Sequence, residues 1–195
     1  MNISDYFSNR AGHWDDHYVP DLPVRVAVAF FSGAGPGMRI LDIACGTGVM
    51  FPELLGMGVS ELVGVDISPA MAGLAAAKFS GEARLRVFCA DIFKFRSGGF
   101  DAAVLFDAYP HFLDKPALIH KVCSLLKPGG RFTVAHGAGR TRINDCHQNV
   151  PAEIKTELLS AQEEAALWTP CFSVDALVDT PHFYLISGVT PDENL

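Results

Sequence analysis

The sequence has no run of basic residues, no internal repeat and no Cys-x-x-Cys pair, and its longest apolar stretches fall far short of the ~20 residues that cross a bilayer. Each absence closes off a class of protein. With no Lys/Arg cluster and a formal net charge of −7, no nucleic-acid partner is expected, nor a general affinity for anionic membranes. With no long apolar run, no membrane span is expected. The five cysteines (Cys45, Cys89, Cys123, Cys146 and Cys171) are odd in number and scattered. They imply neither a disulfide framework nor a structural zinc site and read as reduced thiols of a cytoplasmic protein. The first sixteen residues lack the basic start and apolar core of a secretory signal. Charged residues make up 19% of the chain and hydrophobic ones 49%, which excludes a disordered chain. A length of 195 residues favours a single domain over 1–195.

What is present is an alternation of apolar, β-rich runs with helical patterns. Strands are expected over 38–43, 61–66, 84–89, 100–106 and 131–135. Helices are expected from about 49, from Ser68-Pro69 to about 79, and from Asp114 until Lys127-Pro-Gly-Gly130 ends it. Near-continuous apolar strands between helices imply a parallel sheet covered on both faces. The end differs: 152–166 looks helical, and two β-like runs, 172–178 and 182–189, follow with too few residues between them for a parallel crossover. The expected fold is therefore α/β and Rossmann-like, a seven-stranded sheet of five parallel strands plus a C-terminal antiparallel hairpin. Residues 1–32 would form a helical N-terminal cap or lid, and 38–190 the core.

In such a sheet the ligand lies beyond the carboxyl ends of the strands. Gly46 and Gly48, in the loop Ala44-Cys-Gly-Thr-Gly48, let the backbone turn sharply and approach a ligand. Asp66, twenty residues after Gly46, sits where a carboxylate can accept both ribose hydroxyls. These features also fit a dinucleotide binder, but such a loop needs a third glycine at 51, where this chain has Phe51.

Ile40-Leu-Asp-Ile-Ala-Cys-Gly-Thr-Gly48 resembles the first motif of class I S-adenosylmethionine-dependent methyltransferases. The likeness extends in order through Val65-Asp-Ile-Ser68, Cys89-Ala-Asp-Ile92, Phe100-Asp-Ala-Ala-Val104 and Leu126-Lys-Pro-Gly-Gly-Arg-Phe132. The type is that of small-molecule enzymes similar to those of ubiquinone and menaquinone biosynthesis. The resemblance implies S-adenosyl-L-methionine as cofactor, held by Asp42, Ala44, Gly46, Gly48, Asp66, Ile67, Asp91, Ile92 and Phe106. Asp42 and the Phe106 carbonyl would meet the cofactor's ammonium. Asp66 would take the ribose, Asp91 the adenine amino group, and Ile67 and Ile92 would pack on the adenine. Tyr6 and Trp14 resemble the aromatic lid of the same subgroup and would close over the site.

On the acceptor side, Asp107, Tyr109, His111, His136, Arg140, Arg142, Asn144, Cys146 and His147 fall on two loops expected to face the transferred methyl. His111 and His136 are candidate bases, and Tyr109, Arg140 and His147 candidate substrate contacts. A metal is the competing reading of the same histidines, but no ligand spacing is diagnostic and no metal is assigned. His120 and His182 are expected to be structural, on a helix and a strand. With only about 35 residues ahead of the sheet and a short loop after the fifth strand, a small or flat acceptor is expected, in a monomer or in a homodimer whose partner completes the pocket. The rival readings are a non-catalytic S-adenosylmethionine-binding partner or sensor and, further off, an NAD-dependent oxidoreductase.

Overall fold

The computed structural model describes residues 2–17 and 19–192. Its centre is a seven-stranded sheet in the order β3-β2-β1-β4-β5-β7-β6. Strands β1 (Arg39–Ile43), β2 (Glu61–Asp66), β3 (Leu85–Cys89), β4 (Phe100–Phe106) and β5 (Leu126–His136) are parallel. Strand β7 (Tyr184–Val189) is inserted antiparallel between β5 and β6 (Ser173–Asp179). The expected sheet and its terminal hairpin are both present.

Side chains alternate across the strands, so each face has its own core. Leu41, Ile43, Val63 and Val65 face α6 (Lys115–Leu125) and α8 (Ala161–Trp168), where Phe132 and Trp168 stack at 3.9 Å. Ile40, Leu62 and Val104 face α3 (Leu22–Phe31), α4 (Phe51–Gly56) and α5 (Pro69–Lys78). Pro69 opens α5 behind the Ser68 cap, whose hydroxyl accepts from Met71 N. The N-terminal segment supplies α1 (Ile3–Ser8) and α2 (Trp14–His17).

Five expectations are corrected. Residues 46–50 are turns, and α4 begins only at Phe51. Lys127-Pro-Gly-Gly130 lies inside β5 as an irregularity: pairing passes from Phe100↔Leu126 to Ala102↔Arg131. The stretch 140–146 is a helix, α7 (Arg140–Cys146), where a loop was expected. The expected helix over 152–166 is a short 3-10 turn, Ala152–Ile154, then extended chain, then α8. Backbone bonds explain the extended piece, since Thr156 N donates to Pro110 O (2.6 Å) and Leu158 N to Asn144 Oδ1 (2.9 Å). Helix α8 starts where the Ser160/Glu163 capping box permits. His182 lies in the bend before β7 rather than on the strand.

Phe51 explains two glycines. It is fully buried, and a Cβ on Gly64 would meet its Cζ at 2.6 Å and Cys45 Sγ at 3.0 Å. A Cβ on Gly48, whose φ is +87°, would meet the same ring at 2.6 Å. The ring is a wedge that spaces the glycine loop from β2. Gly64→Ala is therefore expected to cost about 1–3 kcal/mol, read as a Tm lower by roughly 2–4 °C per kcal/mol. Adding Phe51→Leu should recover part of the loss, because the clashing ring atoms are gone. An unchanged Tm in the single variant would mean that the ring yields without cost.

Candidate active site

The chain leaves β1 towards β2 on one side, and β4 lies on the other, so the carboxyl ends of β1 and β4 flank the topological switch point. Both strands end on strained backbone. Ala44 (φ +56°) and Asp107 (φ +54°) are the only non-glycine residues with positive φ among the described residues, and such strain concentrates at functional sites. Between them opens a cavity of about 610 Å³, within the ~300–1,000 Å³ common for small ligands.

Its polar floor is acidic. Asp66 Oδ2 accepts from Gly46 N and Oδ1 from Ser68 N, each at 2.8 Å. Burial raises its pKa, and these two bonds oppose the rise. Asp42 is 2% exposed, and its Oδ2 has no hydrogen-bond partner among the described residues. Burial, and then the charge of Asp66, push its carboxyl well above the usual range. A buried carboxylate oxygen without a donor, beside a second carboxylate, suits a cationic ligand. Further along, Asp91 Oδ1 accepts from Phe93 N (3.0 Å), and Ile67, Ile92 and Phe93 supply apolar wall.

The N-terminal segment covers the cavity and is clasped to the glycine loop. Thr47 Oγ1 donates to Asp15 Oδ1 (2.6 Å), Lys78 pairs with Asp15, and Lys78 Nζ donates to Thr47 O (3.1 Å). Burial resists ionisation of Asp15, but Lys78 and Thr47 outweigh it and hold the carboxyl below its usual value. Ser4 Oγ donates to Ile67 O (2.9 Å), and Ser8 and Ser68 share a hydrogen bond of 2.8 Å. Phe7 and Trp14 line the cavity, and Phe7 meets the His111 ring edge-on at 4.9 Å.

Asp42, Ala44, Gly46, Asp66, Ile67, Asp91, Ile92, Phe106, Asp107, Trp14 and His111 line this one cavity. The other candidates do not. Gly48 faces the Phe51 wedge. Tyr6 is buried beneath the Arg10 guanidinium, 3.6 Å above its ring. Tyr109 is fully buried in the core, where its hydroxyl donates to Glu164 Oε2 (3.0 Å) beside the buried Lys115–Glu164 pair and accepts from Trp168 Nε1 (3.3 Å). Arg140 opens α7 over a separate shallow depression and faces Asp179 at 3.5 Å. His136 is 1% exposed at the end of β5, with Nδ1 3.4 Å from Asp107 Oδ1. His147 reaches the site through His111: their Nε2 atoms are 3.1 Å apart. Among the described residues no three His, Cys, Asp or Glu side chains are grouped to hold a metal. The Asp15–Thr47–Lys78 clasp joins three distant stretches, and no spacing in the sequence announces it.

The sheet order and the switch-point cavity define the class first: this is the seven-stranded fold of class I methyltransferases. Comparison with known proteins agrees. Residues 40–130 match the family described as "Methyltransferase domain". A ubiquinone biosynthesis O-methyltransferase of Xanthomonas campestris pv. campestris (strain B100) is 31% identical over 136 residues, covering 65% of this chain and 56% of that protein. The chain thus spans little more than half the length of that curated relative. Two solved structures share the fold. The Haloferax volcanii putative methyltransferase complex with the Trm112 activator gives a TM-score of 0.81 at 17% identity, covering 97% of this chain and 100% of that one. The N-methyltransferase NodS of Bradyrhizobium japonicum WM9, with S-adenosyl-L-homocysteine, gives 0.77 at 16%, covering 98% and 100%. The methyltransferase match thus lies on the stretch that carries the cavity floor, and the likeness to solved methyltransferases extends the same fold over the described chain.

The raised pKa of Asp42 sets a pH-dependent prediction. The folded state favours its protonated form, so wild-type stability gains as pH falls from the raised folded value towards the unfolded one, near 3.8. Asp42→Asn removes the buried charge. It should raise Tm at neutral pH, by about 2–4 °C per kcal/mol relieved, and the gap to wild type should close as pH falls through that window. A gap independent of pH would show that Asp42 titrates alike in the folded and unfolded chain, so that its pKa is not raised.

Proposed function

We propose that this chain is an S-adenosylmethionine-dependent O-methyltransferase acting on a small, flat, hydroxylated acceptor. The observation that carries the reading is the acidic floor at the switch point: Asp66 fixed on two backbone N–H groups beside Asp42 with its unpartnered oxygen. The first is built for a ribose diol and the second for an ammonium group. Asp91 on the cavity wall would accept from the adenine amino group, and Ile67 and Ile92, on the same wall, would pack on the ring. The bound cofactor would supply a methyl group already activated on a sulfonium.

The protein's own contribution is alignment and the exclusion of water. Phe7, Trp14 and Phe112 give the remaining wall an apolar, aromatic character that suits a flat acceptor. Oxygen as the methylated atom is favoured by the imidazole of His111 on that wall, since a hydroxyl is a poor nucleophile until deprotonated. It is favoured also by the name of the relative from Xanthomonas campestris. The acidic net charge favours a small molecule over nucleic acid, and five free cysteines suit a reducing, cytoplasmic setting. Phe51 in place of a third glycine counts against NAD.

Calorimetric titration with S-adenosyl-L-homocysteine tests this. Saturable binding is expected, weakened at least about tenfold, or ~1.4 kcal/mol, in Asp66→Ala, with no binding of NAD. Methyl transfer to a panel of catechols and phenols should then exceed transfer to amines. Binding of NAD alone would make the protein an oxidoreductase candidate. Binding of S-adenosyl-L-homocysteine without transfer to any acceptor class would favour a sensor or partner subunit.

A further inference from the structure

His111 and His147 are held by their outer nitrogens. His111 Nδ1 lies 2.9 Å from Ile154 O, and His147 Nδ1 lies 2.6 Å from Ile143 O. A carbonyl oxygen only accepts, so each Nδ1 carries its ring's hydrogen and donates it. A neutral imidazole has one N–H, so both Nε2 atoms are left bare. These two bare nitrogens face each other at 3.1 Å, a distance at which two lone pairs oppose one another and a proton between them would make a charge-assisted bond. Moving either ring's hydrogen to Nε2 would forfeit its bond to a backbone carbonyl.

We infer that His111 and His147 work as one base, taking a single proton between their Nε2 atoms from the acceptor at the cavity wall. His111 is the member that lines the cavity; His147 is a positioning residue that acts through it. The inference rests on the methyltransferase reading for the source of the proton, but not for the dyad itself. In the step, the acceptor's O–H bond breaks and its electron pair stays on oxygen to form the O–CH₃ bond. The proton passes to the Nε2 pair, and the methyl donor's sulfur keeps the electrons of the S–CH₃ bond that breaks.

The surroundings fit a base that rests neutral and gains a proton only when one is offered. Burial penalises a charge confined to either ring: burial first, then any charge on His147 and His136, push His111 down to about 4 against the pull of the Ile154 carbonyl, and burial lowers His147 as well. A shared proton is held by both nitrogens and ends the opposition of their lone pairs. Facing charges divide. Asp107 favours a proton on His147, while His136 and Lys155 oppose it. Lys155 Nζ is engaged by the carbonyl of His147. Glu153 and Asp114 also line the cavity. Phe7, edge-on against His111, keeps that side of the ring dry.

Long-range ¹H–¹⁵N correlation spectra of ¹⁵N-labelled protein, followed over pH, test this without any acceptor. In wild type both rings should show hydrogen on Nδ1 and bare Nε2 near neutral pH, and both Nε2 signals should shift together as one proton enters. In His147→Phe, His111 should bind a proton at least about tenfold more weakly, a midpoint lower by one pH unit or more. Two rings that merely repel each other's charge give the opposite sign, and a midpoint that rises or stays fixed would overturn the dyad. So would an Nε2–H tautomer on either wild-type ring, a readout that stands even where the variant fails to fold. Titrating the same wild-type sample with S-adenosyl-L-homocysteine keeps the two readings apart. Failure to bind it would sink the methyltransferase reading and leave the dyad's own titration intact.

Discussion

The Asp66 carboxylate is the fixed point of the site. By accepting from Gly46 N and Ser68 N it ties the loop after β1 to the start of the helix after β2. It can do so because β1 and β2 are adjacent and parallel, in a register that pairs Ile43 with Val65. Ser68 passes the constraint on: its hydroxyl caps α5 and also meets Ser8 on α1. One side chain therefore registers the glycine loop, a helix start and the N-terminal cap against one another. Movement of any of the three would strain bonds to the same carboxylate.

This arrangement concentrates unfavourable terms. Two carboxylates are buried close together, and Ala44 and Asp107 hold left-handed backbone. An uncompensated buried charge is among the costlier features a fold can carry. The surrounding frame braces it on two sides. The Phe51 wedge fills the space against Gly48 and Gly64, and the Lys78–Asp15–Thr47 clasp closes the loop from outside. A fold that bears such cost at one place, with packing arranged to hold it, is shaped for a ligand that relieves it. A positive group at Asp42 would do so.

The sheet was legible because near-continuous apolar strands of the right length leave few alternatives, and because four residues between β6 and β7 dictate an antiparallel turn. The cavity floor was legible for a related reason: strand ends are countable, so Asp42, Asp66 and Asp91 could be placed beside the cavity from where strands stop. The placement of the loop residues beyond β4 and β5 was not. Tyr109 and His136 follow strand ends, as the expected ligands do, but fall into the core, Tyr109 onto the buried Lys115–Glu164 pair and His136 against Asp107 and Tyr184. A one-residue difference in direction at a strand end decides between cavity and core, and Asp107 at φ +54° makes that turn unpredictable from residue type. Arg140 was lost to a helix that carries no side-chain cap to announce it. The capping box of α8, Ser160 to Glu163, was readable, and weighing it would have kept the helix from being extended back to 152.

The division between floor and cover follows the chain. The matched stretch, 40–130, holds the acidic floor, the glycine loop and His111. The cover and part of the far wall come from outside it: Phe7 and Trp14 before, Glu153 and Ile154 after, and His147 behind His111. A shared core can then hold one methyl donor while the flanks set what meets it, which is why likeness in the core speaks to the donor and is silent on the acceptor. The histidine pair spans that boundary. His111 is positioned by the strand-end geometry of the core, but its Nδ1 hydrogen is directed by Ile154 and its Nε2 opposed by His147, both contributed by the C-terminal flank. Whatever proton chemistry His111 performs is thus fixed by residues outside the matched stretch. A core with the same histidine and a different flank would carry a different base.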